Sequence, residues 1–326
     1  MTRPATTARS RRALLVGPKN PRGLYYRAGT EALKRLGAAC HLDLLNRWSE
    51  EDGPLDLLLG TSPGSFIRAA RAIESTCAER IFLAFAHGGF LAGGERAQAK
   101  HRRAYELASS VICQTSAQAR IVRQEYPQLS TLKICPLILP CDLRADLTPQ
   151  EQALAQRALW LDSEHPIYLV IIDWEDTHQI ETALSLSRLH PDWQFILFGD
   201  NPKARRRALS FQRELPLENV RAMSELRIEL VGSLLCASQA LIILDSNLAC
   251  PFLLEDAIAS HLPIASVRLP LLAGLLDPAK DYLEIPQEAS RIARALTDNE
   301  LSRAAESALA HMAQLQRDFD PTHYLG

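Results

Sequence analysis

The stretch Ala240–Ser266, ALIILDSNLACPFLLEDAIASHLPIAS, admits few folds. Ala240–Leu244 is a short apolar run with the length and composition of a buried parallel strand. Asp245–Pro251 is a polar loop closed by a proline. Phe252–Ser260 reads as a helix, apolar at Phe252, Leu253, Leu254, Ala257 and Ile258, with Glu255 among them. Leu262–Val267 is a second strand. A strand, loop, helix and strand in so short a span is the βαβ unit of a parallel sheet. In such sheets the loop after a strand, leading into a helix N-terminus, is where anionic ligands bind.

The same alternation runs along the whole chain. Strands are expected at Ala13–Val16, Ala38–Leu45, Leu55–Leu59, Arg80–Ala86, Ser110–Gln114 and Lys133–Leu139. Helices fall between them. The first runs from Leu24 to Leu36 and stops at Gly37, and another, capped by Ser116, extends to Tyr126. Character changes between Cys141 and His165, which marks a domain boundary. The theme then restarts, with strands at Ile167–Ile172, Gln194–Phe198 and Val220–Met223 and helices at His178–Arg188 and Glu225–Ser238. Two helices, Ser290–Leu296 and Leu301–Arg317, close the chain. The expected class is α/β, with two Rossmann-like doubly wound parallel sheets facing each other across a cleft. The domains are placed at residues 1–145 and 146–326.

Composition narrows the function classes. A net charge of −2 argues against an extended nucleic-acid surface. No apolar run reaches membrane-spanning length. The N-terminus, MTRPATTARSRR, is basic without an apolar signal core, so a cytoplasmic protein with a short disordered or membrane-brushing tail is expected. The seven cysteines form no C-x-x-C pair and read as thiols in a reducing compartment. The loop Gly17–Gly23 (GPKNPRG) lacks the dinucleotide fingerprint. No Ser/His/Asp nucleophile constellation and no metal-spaced His/Cys cluster is present, so neither a metal nor a bound cofactor is expected.

Two segments carry a family resemblance. AYELASSVICQTSAQARIVRQEYP…KICPLILPCD, with Ser116 and Pro140-Cys141-Asp142, is similar to the last helix and strands before the interdomain linker of the GT-B-fold retaining glycosyltransferases (the group 1-like family). LLCASQALIILDSNLACPFLLEDAIASHLPIAS resembles that family's most specific segment, the donor loop and helix. The resemblance covers nearly the whole chain. It implies a transferase that moves a hexosyl group from a nucleotide sugar to a carbohydrate, lipid-linked or protein acceptor, as in polysaccharide biosynthesis. It also implies a cytoplasmic location, with peripheral membrane or protein partners.

The resemblance assigns candidate residues. Glu255 takes the place of the glutamate that contacts the nucleotide ribose. Asn247, beside Ser246, stands where the family carries a second glutamate that reaches the donor sugar. Asp173 and His178 occupy the places of an arginine and a lysine that clamp the diphosphate. The clamp neutralises about two negative charges, so Asp173, Glu175 and Asp176 invert it. Arg205, Arg206, Arg207 and Arg268 are the candidate replacements. In the first domain, Gly23 and Arg27 fall near the glycine-rich phosphate loop. His87, followed by Gly88, matches a histidine placed near the reacting sugar and is the candidate catalytic residue. A second reading follows from the inverted clamp: a GT-B-like pseudoenzyme that partners an active glycosyltransferase or a polysaccharide assembly. A third, sugar-nucleotide epimerisation, would draw on Asp173, Glu175 and His178 as acid–base groups.

Overall fold

In the computed structural model of the chain, twelve strands form two six-stranded parallel sheets among the described residues. The structure describes residues 10–17, 24–73, 77–84, 95–128, 132–134, 150, 157, 164–199, 204–214, 217–223, 228–247, 252–278, 280–297 and 299–320.

The first sheet comprises β1 (Arg12–Val16), β2 (Asp43–Leu45), β3 (Leu55–Gly60), β4 (Cys77–Ala84), β5 (Ser110–Cys113) and β6 (Leu132–Ile134), in the order β2-β1-β3-β4-β5-β6. Helix α1 (Leu24–Ala39) covers one face, burying Ala32, Leu33 and Leu36 on β1, β3 and β4. Helices α2 (Pro63–Ala72), α3 (Glu95–Leu107) and α4 (Ser116–Glu125) cover the other, through Phe66, Tyr105 and Val122.

The second sheet comprises β7 (Ile167–Ile171), β8 (Gln194–Phe198), β9 (Val220–Met223), β10 (Ala240–Ile243), β11 (Ile264–Ser266) and β12 (Leu283–Glu284). Its order is β12-β11-β10-β7-β8-β9, the dinucleotide-fold arrangement, with its switch point between β7 and β10. Helices α5 (Thr177–Leu189), α6 (Ala204–Glu214) and α9 (Ala289–Leu296) pack on one face. Helices α7 (Ile228–Ala237), α8 (Phe252–Ala259) and α10 (Asn299–Arg317) pack on the other. Buried on both sides, β7 and β10 read IYLVI and ALII, continuous apolar runs without alternation.

The two halves touch at named points. Thr115 Oγ1 donates to the Leu271 carbonyl at 2.8 Å. Helix α1 packs against α7 and α8, and Phe319, just past α10, rests on the apolar cluster of the first sheet. The boundary placed at 145/146 lies outside the described residues.

Several expected boundaries are corrected. Helix α1 does not stop at Gly37 but runs on to Ala39. Gly37 is there for space: a Cβ would lie 2.8 Å from Leu44 Cδ2. The left-handed turn that follows falls on His41, at φ 54°. Strand β2 is accordingly confined to Asp43–Leu45. Thr115, not Ser116, caps α4, its side chain accepting from the Gln118 amide. Strand β4 begins at Cys77, three residues before Arg80, and ends at Ala84. Of the described cysteines, Cys113 is buried and Cys40, Cys77 and Cys236 are half-buried, all of them thiols and not disulfides.

Candidate functional site

The switch point of the second sheet is lined by carboxylates. Ile243 pairs with Ile171, and the Leu244 amide continues the ladder to the Ile171 carbonyl at 2.9 Å. That register brings Asp245 level with Asp173 just past the strand ends. Burial pushes the Asp245 carboxyl up to about 6, with Asp173 and Asp176 adding to the rise. The Asn247 amide, donating to Asp245 Oδ1 at 2.9 Å, opposes it. Nothing in the sequence around Asp245 singles it out; only its register against β7 does.

The loop after β7 is closed on itself. Asp176 caps α5: its Oδ1 accepts from the His178 amide at 2.9 Å and the Gln179 amide at 3.3 Å. Its Oδ2 accepts from Gln179 Nε2 at 2.9 Å, and Gln179 Oε1 accepts from the Asp173 amide at 2.8 Å. The positive end of the α5 dipole is therefore answered by the chain's own carboxylate. Trp174 is fully buried beneath this loop, edge-on to Phe211 with ring centroids 5.6 Å apart. Its carbonyl accepts from Arg207 Nη1 at 2.9 Å, which commits one of the candidate replacement arginines. Gly199 lets β8 pass: a Cβ there would lie 2.3 Å from the Ile172 carbonyl and 2.7 Å from the indole. His178 is exposed, and Asp173 half-buried.

Across the switch point, Ser246 is half-buried and Asn247 exposed, while Glu255 lies in the first turns of α8. Glu255 is 1% exposed, and neither carboxyl oxygen has a hydrogen-bond partner among the described residues. Burial, reinforced by neighbouring Asp256, holds its carboxyl well above the usual carboxylate range. A buried polar group without a partner costs about 1–3 kcal/mol and asks for an explanation. Residues 248–251, which lead into α8, lie outside the described set.

On the first-domain side, α1 comes close to the end of β1. A Cβ on Gly17 would lie 2.8 Å from Thr30 Oγ1, and Thr30 Oγ1 is 3.4 Å from Thr61 Oγ1. Gln114, at the carboxyl end of β5, is 1% exposed, and neither side-chain amide atom has a partner among the described residues. Read in sequence it is merely the last residue of a strand. Gly23, His87 and Gly88 lie outside the described residues, as does the side chain of Arg27. Among the described residues, no three His, Cys, Asp or Glu side chains are arranged to hold a metal ion.

Comparison with known proteins bears on this geometry. No protein-family model matches the chain, and no curated protein matches it significantly. Solved structures do match, over nearly the full length. HepE from Anabaena, in complex with UDP and glucose, superposes with a TM-score of 0.69 at 13% identity, covering 96% of each chain. The fold is GT-B. Sucrose-phosphate synthase from Thermosynechococcus elongatus matches at a TM-score of 0.66 and 16% identity, covering 94% of this chain and 95% of that one. WaaG, a glycosyltransferase involved in lipopolysaccharide biosynthesis, matches at 0.60 and 15%, covering 93% and 95%. The chain is thus structurally similar to GT-B glycosyltransferases, with two Rossmann-like domains as expected. Among the described residues, no helix is long and apolar enough to cross a membrane.

Proposed function

We propose that this GT-B protein binds a nucleoside diphosphate sugar and transfers its sugar, with retention, to an acceptor. The observation that carries the reading is the orphaned carboxyl of Glu255. It stands beside the switch point of the second sheet, where α/β proteins take their nucleotides. A ribose diol supplies the two donors its oxygens lack. HepE, of the same fold, has been seen with UDP-glucose. In this reading Asn247 and Ser246 meet the donor sugar and His178 the diphosphate. His87 is the candidate catalytic residue of this reading, and Gly23, Arg27 and Gly88 are its candidate substrate contacts from the first domain.

A second reading has one specific observation behind it. Asp173, Asp176 and Asp245 gather at the switch point, where the first reading needs the diphosphate, and Asp176 already occupies the helix N-terminus. Like charges there oppose a diphosphate. A non-transferring GT-B protein that partners an active glycosyltransferase has no need of that anion site. Calorimetric titration with UDP-, GDP- and dTDP-sugars, followed by turnover assays on any donor that binds, tests both. Binding with sugar release to an acceptor supports transfer. Complete absence of binding by the folded protein rejects it in favour of the partner role.

A further inference from the structure

Negative charge gathers at the switch point of the second sheet. Asp245 follows β10, Asp173 stands level with it after β7, and Asp176 holds the entrance of α5. Among the described residues, Asp173 and Asp176 are the charges that act on Asp245, and both disfavour its ionised form. Its own loop answers with the Asn247 amide, donating to Oδ1 at 2.9 Å. From the segment ahead of α9, Gln287 Nε2 donates to the Leu244 carbonyl at 3.2 Å and brings no charge. Two candidate arginines are engaged otherwise. Arg207 donates to the Trp174 carbonyl at 2.9 Å, and Arg268, exposed after β11, acts on Tyr282. The α5 N-terminus, which could face an anion, is answered by Asp176. Yet a ligand is called for at this same switch point. The buried carboxyl of Glu255 has no hydrogen-bond partner among the described residues.

Building on the donor-binding reading above, we infer that the site takes its diphosphate together with a proton on Asp245, so that donor affinity rises as the medium turns acid. A nucleotide sugar carries about two negative charges, and it keeps them between pH 5 and pH 8. Beside an ionised Asp245 those charges are opposed. Beside the neutral carboxyl they meet a hydroxyl that donates to a phosphate oxygen. Burial and the two neighbouring carboxylates already push the Asp245 carboxyl up to about 6, so its proton exchanges just below neutral pH. Binding the anion raises its proton affinity further, and by reciprocity the proton raises donor affinity by the same factor. The sign follows. Affinity is greatest below about pH 6, falls as Asp245 of the free protein ionises, and levels off once Asp245 ionises in the complex as well.

Calorimetric titration with UDP-glucose, GDP-mannose and dTDP-glucose tests this, on the full chain and on Asp245→Asn, in EDTA, at pH 5.0, 6.5 and 7.5. Circular dichroism confirms the fold at each pH. The variant's amide stands for the neutral acid. It is expected to bind the parent's donor at least about tenfold more tightly at pH 7.5 and within about twofold of the parent at pH 5.0. At pH 6.5, titration in two buffers of different ionisation enthalpy is expected to show the parent taking up about half a proton more than the variant. Protons exchanged by Glu255 or His178 are common to both proteins and cancel in the comparison. Asp245→Ser, also uncharged, is expected to behave alike and keeps the comparison should the amide perturb the loop. A donor bound with the same ratio between parent and variants at every pH overturns the coupling and leaves donor binding standing. So does binding that appears only when magnesium replaces EDTA, which assigns the neutralisation to a cation. No binding of any donor by the folded parent or variants removes both.

Discussion

Asp245 and Asp173 stand level with each other at the ends of adjacent parallel strands, a consequence of the Ile243–Ile171 pairing. Burial first, and then the neighbouring Asp173 charge, disfavour the ionised form of Asp245. Its carboxyl is pushed up to about 6.

Stability should therefore depend on pH through Asp245. Its folded value lies above the ordinary 3.8, so the native state binds the proton more tightly than the unfolded chain. Stability is lost as pH rises from about 4 to about 6 and stays lost above that. Asp245→Asn, which keeps an oxygen for the Asn247 amide, is expected to gain about 2 kcal/mol at pH 7.5 and almost nothing at pH 4. Thermal unfolding at the two pH values reads this out. An equal gain at both would contradict it.

Asp176 holds the entrance of α5 with three accepted hydrogen bonds. Asp176→Ala is expected to lose about 1–2 kcal/mol, the larger part of the range for a cap. Asp176→Asn retains an acceptor for the two amides and is expected to lose only a few tenths. Denaturant midpoints of the two variants, compared at equal slope, check the difference.

Thr115 works for both domains at once. Its hydroxyl oxygen accepts from the Gln118 amide at 3.1 Å and its proton goes to the Leu271 carbonyl. Thr115→Val removes both in a buried setting and is expected to lose about 2–3 kcal/mol, whereas Thr115→Ser stays within about 1 kcal/mol. Chemical denaturation of the pair measures it, and equal losses would mean that packing of the methyl dominates.

Much of this architecture is legible in the sequence. Strands β7, β8, β9 and β10 are apolar runs bounded by Pro, Gly or polar loops, and their ends fall within a residue of expectation. Gly37 misleads because a glycine can stop a helix or merely let a neighbour approach, and here Leu44 decides for the second. Thr115 and Ser116 are both competent caps, and only the backbone angle at Thr115 distinguishes them. The site is less legible. The inverted charge at Asp173 is what the family resemblance implies, but the height of Asp245 beside it depends on the pairing of β10 with β7. The burial of Trp174 depends on Gly199 of a third segment. Neither Gln114 nor Glu255 announces in sequence that its polar side-chain atoms end up without partners among the described residues.

Glu255 gives the most direct test of the central claim. Burial holds its carboxyl well above 4.5, so it weakens the native state as pH rises past that value, and Glu255→Gln should raise the melting temperature at pH 7.5. The decisive measurement is calorimetric titration of the parent and Glu255→Gln with a nucleoside diphosphate sugar panel at pH 7.5. The proposed function predicts that the parent binds at least one donor and that the more stable variant binds it at least about tenfold more weakly, having exchanged one of the two carboxyl oxygens that face the ribose hydroxyls for an NH2 group. A parent that binds no donor while fully folded, or a variant that binds as tightly as the parent, would contradict it.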